Sequence, residues 1–361
     1  MPRTLKLLLF AFALAALLVV LCAPPGASAY KRQDAAALDP AVEHAVGLYT
    51  KGDVKGAVKE FRSLTKRRRD DPLVWVYLGQ ALVMRGEMKE ARKAFDAALK
   101  LKPDYAIAHS SLAYLLIVTD KTREAEDEAA KALALDTKLA DAHYVVGLLR
   151  LRAGAWLKAI EEADAVIKLN PKIASAYSLK TQALLGLYER GNIVLSDERR
   201  GAYDFDDATI KEARAAQPLR LKEAADNLEK YLQLKPTAED ADELREELEA
   251  LRFYAEAAAS TDPSRKIYAA TEGITRALII YKPEPSFTEQ ARRAGITGVV
   301  RLRAVLGFDG KVKYILVLKG LSHGLTEKSV IAARQIRFRP AMLGGVPVSQ
   351  YVVLEYNFNI Y

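Results

Sequence analysis

Cysteine is nearly absent from this chain: Cys22 is the only one in 361 residues, and four histidines are scattered along the rest. A lone thiol closes no intramolecular disulfide and leaves nothing from which to build a cysteine-based zinc site. Two catalytic signatures are missing as well, a glycine-rich phosphate loop ending in Lys-Ser or Lys-Thr and a His-Glu-x-x-His pair. These absences argue against an enzyme and imply neither metal nor cofactor. Apolar material is plentiful, at 50% of residues, enough for two domains with cores of their own.

The N-terminus accounts for the cysteine. Arg3 and Lys6 precede an apolar run from Leu7 to Ala23, Pro24-Pro25-Gly26 ends any helix, and Ala27-Ser28-Ala29 offers the small-x-small pattern of a signal-peptidase site. Residues 1–29 therefore read as a signal peptide and the chain as exported to the periplasm. The alternative keeps 7–23 as an uncleaved anchor facing the periplasm, at the short edge of what spans a bilayer. Lipidation of Cys22 fits poorly, because Leu21 stands where a Gly or Ala is expected.

A repeat of 34 residues follows. The segment 72–105 places Trp75, Leu78, Gly79, Leu82, Ala91, Phe95, Ala98 and Pro103 at offsets 4, 7, 8, 11, 20, 24, 27 and 32. Steps of 34 put Leu112, Ala113, Ala125 and Ala132, then Val146, Gly147, Ala159 and Pro171, in the same slots, and a step back puts Leu48, Ala57 and Phe61 there. Small residues at offsets 8 and 20 let two antiparallel helices approach, and large ones fill the remaining space. The pattern resembles the tetratricopeptide repeat, which implies an all-α superhelical solenoid over 38–260. A fifth unit opens at Ala174, but its second helix is delayed by an insertion of about 187–219. Its acids, Asp197, Glu198, Asp204, Asp206 and Asp207, lack the order of a calcium loop, so the insertion reads as a solvated loop with Asp207 capping a helix from Ala208. The amphipathic run 237–258 is predicted to close the stack.

Two features of the repeats bear on binding. His109 and His143 share offset 4 with Trp75 and Tyr177, which reads as a packing slot rather than a metal site. The concave face is expected to take offsets 2, 5, 9 and 12 of each first helix, giving Val42, Val46 and Tyr49, then Val76, Gln80 and Val83, then Ser110, Tyr114 and Ile117, then Tyr144, Leu148 and Leu151. This apolar, aromatic groove is the expected seat of a partner peptide, either vacant or filled by the chain's own C-terminal part.

Beyond residue 264 the pattern changes to helix-strand-strand-helix-strand, predicting a small α+β domain with an antiparallel sheet over 265–361. It holds 15 Lys or Arg against 6 Asp or Glu, so the net charge of +8 is local to it. Val300, Leu302, Ala304 and Leu306 share a buried face, with Arg301 and Arg303 opposite on what reads as a solvated one; Asp309-Gly310 turns the hairpin, and Val312, Tyr314, Leu316 and Leu318 continue the buried face. Val352, Leu354, Tyr356, Phe358 and Ile360 alternate through a last strand.

Across 283–361 the sequence resembles the C-terminal domain of the TonB family. Pro285, Ala291, Arg292, Gly298, Val300, Gly310, Phe338, Pro340 and Pro347 sit where that pattern expects them, while Phe287 and Thr288 replace its usual Tyr-Pro. The resemblance implies capture of an extended segment of an outer-membrane transporter or other envelope protein by strand addition, with Gln350, Tyr351, Val353, Glu355 and Asn357 of the last strand, plus Arg292 and Arg293, as binding residues. Homodimer pairing through the same edge is the competing use. A proton-driven transducer would also need a membrane helix with a polar contact and a Pro-rich spacer, and repeats stand in the spacer's place. Two readings result: a periplasmic interaction scaffold without nucleic-acid partners, or an anchored component of an energy transducer.

Overall fold

The computed structural model describes residues 39–195, 207–238, 240–259, 267–268 and 274–359. The expected signal peptide, the acidic centre of the insertion at 196–206 and Ile360 lie outside them. Contacts divide the chain into two compact units with their boundary between Lys180 and Thr181.

The first unit is built from helical pairs: α1 (Pro40–Thr50) and α2 (Val54–Arg67), α3 (Pro72–Met84) and α4 (Met88–Leu101), α5 (Ala106–Val118) and α6 (Thr122–Leu135), α7 (Ala140–Arg152) and α8 (Trp156–Leu169). From α3 onward first helices of 13 residues alternate with second helices of 14, as a gapless repeat demands. The starts of α1, α2 and α3 follow capping chemistry. Asp39, Asp53 and Asp71 each accept a main-chain N–H of their first turn, and Pro40 and Pro72 occupy positions where no N–H is needed. Gly79 has its function in packing: a Cβ there would stand 2.3 Å from Cε1 of Phe95, so only glycine lets α3 and α4 come this close.

The second unit opens inside α9 (Ala174–Leu195) and continues with α10 (Asp207–Leu234) and α11 (Ala241–Ala259). Within the expected insertion at 187–219 the helix expected from Ala208 is present, with Asp207 as its first residue instead of its cap, and the loop expected before it is corrected for the residues up to Leu195, which are helical. Residues up to 195 prolong α9 and those from 207 begin α10, even though Pro218 lies within the helix. Side-chain donors join the two extensions: the Gln217 amide donates to Tyr188 O at 2.8 Å and the Arg220 guanidinium to Leu187 O at 3.2 Å.

The remaining elements are β1 (Ile274–Thr275), β2 (Leu278–Tyr281), α12 (Glu289–Arg293), β3 (Gly298–Leu306), β4 (Val312–Lys319), α13 (Leu325–Arg334), β5 (Arg337–Arg339), β6 (Ala341–Leu343), β7 (Val346–Val348) and β8 (Gln350–Phe358). The main sheet is antiparallel in the order β4-β3-β8, so the chain's last strand is an edge. A bent ribbon pairs β1 with β6 and β2 with β5, and β7 adds to β6. One face of the sheet packs Val300, Leu302, Leu354, Tyr356 and Phe358 against Leu325, Ala332, Ala333 and Ile336 around α13.

Candidate functional site

The two edges of the main sheet differ. β4 loses register with β3 twice, between Arg301 and Leu302 and between Arg303 and Val305, each time with an extra residue on β4. At the second bulge Tyr314 takes φ 49 and leaves the buried face on which alternation placed it. Its ring stacks on Phe253 of α11 at 3.7 Å, and its carbonyl accepts from the Tyr254 hydroxyl at 2.8 Å. Bulged and covered by α11, this edge cannot extend the sheet.

β8 keeps unbroken register with β3 from Gln350↔Leu306 to Phe358↔Gly298. Its outward groups can be assigned by parity. Tyr351 N–H donates to Tyr268 O at 3.2 Å, Ser349 O accepts from Tyr268 N–H at 3.1 Å, and Glu355 O accepts from Lys282 Nζ at 2.6 Å. Odd-numbered residues thus turn their main chain away from β3. Val353 N–H and C=O, Glu355 N–H and Asn357 N–H and C=O face outward and have no partner among the described residues.

Side chains sort differently along the strand. Val353 is 53% exposed, and Glu355 and Asn357 are exposed too. Gln350 is not a surface contact: it is 3% exposed, on the core face, and its Oε1 accepts from Ala277 N–H at 2.7 Å. Tyr351 is also internal, its ring stacked on Tyr254 at 5.7 Å. Arg292 and Arg293 are exposed on α12, where Arg292 lies over the Phe287 ring and Phe287 meets Phe358, at the far end of β8, edge-on.

The face carrying Arg301 and Arg303 is not solvated. Arg301 pairs with Glu189 of α9 and, at 2.9 Å, with Glu355. Arg303 bonds the Tyr188 hydroxyl and lies over the rings of Tyr188, Tyr254 and Tyr351 at 5.7, 5.1 and 4.6 Å. Guanidinium groups stack on aromatic planes while still donating, which lets charge sit between layers. Burial pushes the Tyr254 hydroxyl pKa far up, against the pull of Arg303, so it stays a donor. Burial, and then Arg301, lowers the Lys319 ammonium.

The expected groove residues are all buried except Val46, which is half-buried. Tyr144, Val76 and Ile117 are fully enclosed, Gln80 bonds Ser111 at 2.9 Å, and Val83, Tyr114, Leu148 and Leu151 are each under a tenth exposed. First helices pack on one another as well as on their own second helices, α3 on α5 and α5 on α7, so these offsets fill the angle between neighbours. They form no open apolar groove. Offset 4 proves to be a latch between repeats, its ring donating to a carbonyl six residues back: Trp75 to Arg69 O, His109 to Pro103 O, His143 to Thr137 O and Tyr177 to Pro171 O, at 2.8 to 3.1 Å. His109 and His143 also meet Glu128 and Glu162 at 2.6 and 2.7 Å. Among the described residues no cluster of side chains could hold a metal ion.

One motif escaped the sequence reading. Gly320-Leu321-Ser322-His323-Gly324 has Gly-x-Ser-x-Gly spacing between β4 and α13. Here Ser322 is 3% exposed and His323 touches it at 2.8 Å, but no carboxylate bonds His323 among the described residues. A nucleophilic serine needs access to substrate and an oriented base, and this one has neither.

The fold defines a class, helical repeats followed by a small antiparallel-sheet domain, and the family models agree. The profile of the Gram-negative bacterial TonB protein C-terminal matches residues 283–360, and that of the tetratricopeptide repeat matches 42–106. The chain is thus a tetratricopeptide-repeat protein carrying a TonB C-terminal-type domain. No curated protein matches it. Similar solved structures include a thermophilic tetratricopeptide protein of Thermus thermophilus (16% identity, 59% of this chain and 97% of that one, TM-score 0.43). Others are MamA (23%, 55% and 99%, 0.35) and PilF of Pseudomonas aeruginosa (16%, 57% and 95%, 0.36). Both matched families are interaction modules without catalysis, and the chain is read as a protein–protein interaction scaffold.

Proposed function

We propose that this protein is a periplasmic scaffold whose TonB-type domain captures an extended segment of an outer-membrane or other envelope protein as an added strand on β8. The observation that carries the reading is the difference between the edges: β4 is bulged and covered, while β8 is regular and turns main-chain groups of Val353, Glu355 and Asn357 outward. Strand addition takes its affinity from such groups and its specificity from alternate side chains. The matched TonB-type domain supports an envelope-associated protein. A free periplasmic scaffold would have lost residues 1–29, and intact-mass measurement should find a chain beginning at Tyr30; a chain retaining 7–23 would favour an anchored transducer component instead.

Val353→Pro tests the edge. Proline removes the outward N–H and spares the bonds to β3, so the domain should stay folded and capture of the envelope partner should be lost, while Val353→Thr keeps it. A folded Val353→Pro variant that still captures its partner would falsify strand addition at this position. If the parent is a dimer by sedimentation and the proline variant a monomer, the added strand is a second copy.

A further inference from the structure

The ribbon formed by β1, β2, β5, β6 and β7 flanks β8, with Ala277 N–H on the Gln350 side chain and Lys282 Nζ on Glu355 O, and has an unusual surface of its own. Leu278, Ile279, Ile280 and Tyr281 are 58, 37, 62 and 52% exposed, and Val346 at the β6–β7 turn is 62% exposed. Register places Leu278 and Tyr281 opposite Arg339 and Arg337 on one face and Ile279 opposite the buried Phe338 on the other, while Ile280 is the extra residue of a bulge and 62% exposed. Clustered apolar exposure of this kind marks an interaction surface rather than ordinary surface scatter.

The charge around it has one sign. No Asp or Glu occurs from Gly273 to Pro283 or from Lys328 to Leu354. Arg276, Arg337 and Arg339 are exposed and have no carboxylate partner among the described residues. Register sets Arg339 beside Leu278 and Arg337 beside Tyr281, with the Arg337 guanidinium 5.9 Å from the Tyr281 ring. Cations and apolar side chains are therefore interleaved on one ribbon.

We propose that this ribbon docks on an anionic lipid surface, with Leu278, Ile280 and Tyr281 entering the headgroup region and Arg276, Arg337 and Arg339 meeting phosphates. The partner is argued from chemistry. Arginines with no carboxylate partner among the described residues call for anions, and apolar side chains interleaved with those cations on one exposed face match the layered chemistry of an anionic bilayer surface, phosphates outside and acyl chains beneath. Apolar insertion combined with basic residues is how peripheral proteins hold anionic interfaces, and tyrosine suits the headgroup level.

The test is co-sedimentation of the chain lacking residues 1–29 with vesicles of phosphatidylcholine alone or mixed equally with phosphatidylglycerol. Binding should need phosphatidylglycerol, weaken with salt, and fall about fivefold for each arginine removed in Arg337→Gln and Arg339→Gln. Ile280→Ser with Tyr281→Ser, on the solvent side of a short strand, should lower it at least as far while circular dichroism stays unchanged, and tryptophan placed by Ile280→Trp should shift its emission to the blue on mixed vesicles. Absence of sedimentation, or binding indifferent to both pairs of substitutions, overturns the proposal. Loss with the arginine pair alone overturns insertion, and loss of a co-purifying protein with Ile280→Ser, without vesicle binding, makes the ribbon a protein-docking surface instead.

Discussion

Truncating one ring should reveal that the end of the helical region and the main sheet are a single cooperative body. Tyr254 of α11 is 2% exposed, stacks on Tyr351, lies beneath the Arg303 guanidinium and donates its hydroxyl to Tyr314 O at 2.8 Å. Removing a buried aromatic ring costs about 3–5 kcal/mol through lost transfer energy and the cavity left behind. The hydrogen bond adds about 1 kcal/mol and the lost cation–π contact about 1 kcal/mol, partly overlapping with the ring's own burial. Tyr254→Ala should therefore lower stability by about 4–5 kcal/mol, a large part of what a domain possesses. Tyr254→Phe, which loses only the hydroxyl, should cost about 1 kcal/mol. Urea unfolding of the full chain measures both, and amide exchange locates them: protection should fall in β3, β4 and β8 along with α11. Sheet amides that keep parental protection while α11 opens would refute the coupling.

A second prediction concerns pH. Burial, with Asp240 adding, pushes the half-buried Glu247 carboxyl up to about 7, so the folded chain favours its protonated form. That contribution is complete below the ordinary carboxylate range and is lost as pH rises through 7; Glu247→Gln should stabilise the chain at pH 8 by about 1–2 kcal/mol, after allowance for screening, and leave it unchanged at pH 4. Equal effects at both pH values would contradict the assignment. A third concerns the repeats. Each of Tyr114→Ala, Tyr144→Ala and Leu148→Ala should cost about 2–5 kcal/mol, and the three together should unfold the first unit in a thermal melt. A triple variant as stable as the parent would show these side chains to be surface after all.

The repeats were legible because their determinants are local and periodic: Gly79, Phe95 and Pro103 each have a steric reason to recur every 34 residues. The order of strands and the buried face of β3 and β8 could be read for the same reason, since alternation reports a half-buried strand directly. What escaped notice depends on partners far along the chain. Arg301 and Arg303 alternate as a wet face would, and only Tyr188, Glu189 and Tyr254, on helices read as belonging to the solenoid, make that face dry. Tyr314 continues an unbroken apolar alternation, yet a bulge with positive φ at a non-glycine residue turns it outward onto Phe253. The acids of 187–219 suggested a loop, while the helical extensions on either side are joined by Gln217 and Arg220, whose targets are carbonyls some thirty residues earlier.

An unpaired edge strand invites indiscriminate pairing unless it is restrained, and β8 is restrained in three ways. Tyr268 pairs with its first residues, Lys282 covers Glu355 O while resting on the Tyr356 ring at 4.4 Å, and Glu355 itself places a charge on the edge held by Arg301. A strand arriving at Val353 and Asn357 finds donors and acceptors at once, but to pair through Glu355 it must displace the Lys282 ammonium from the carbonyl. An unrelated strand has nothing to offer that ammonium and returns it to water, forfeiting an exposed charge-assisted bond worth at most about 1 kcal/mol. A strand with a carboxylate at that level supplies a new partner and avoids the cost. The edge thus discriminates by what it already holds, and Lys282→Ala should make capture less selective for acidic segments without weakening it.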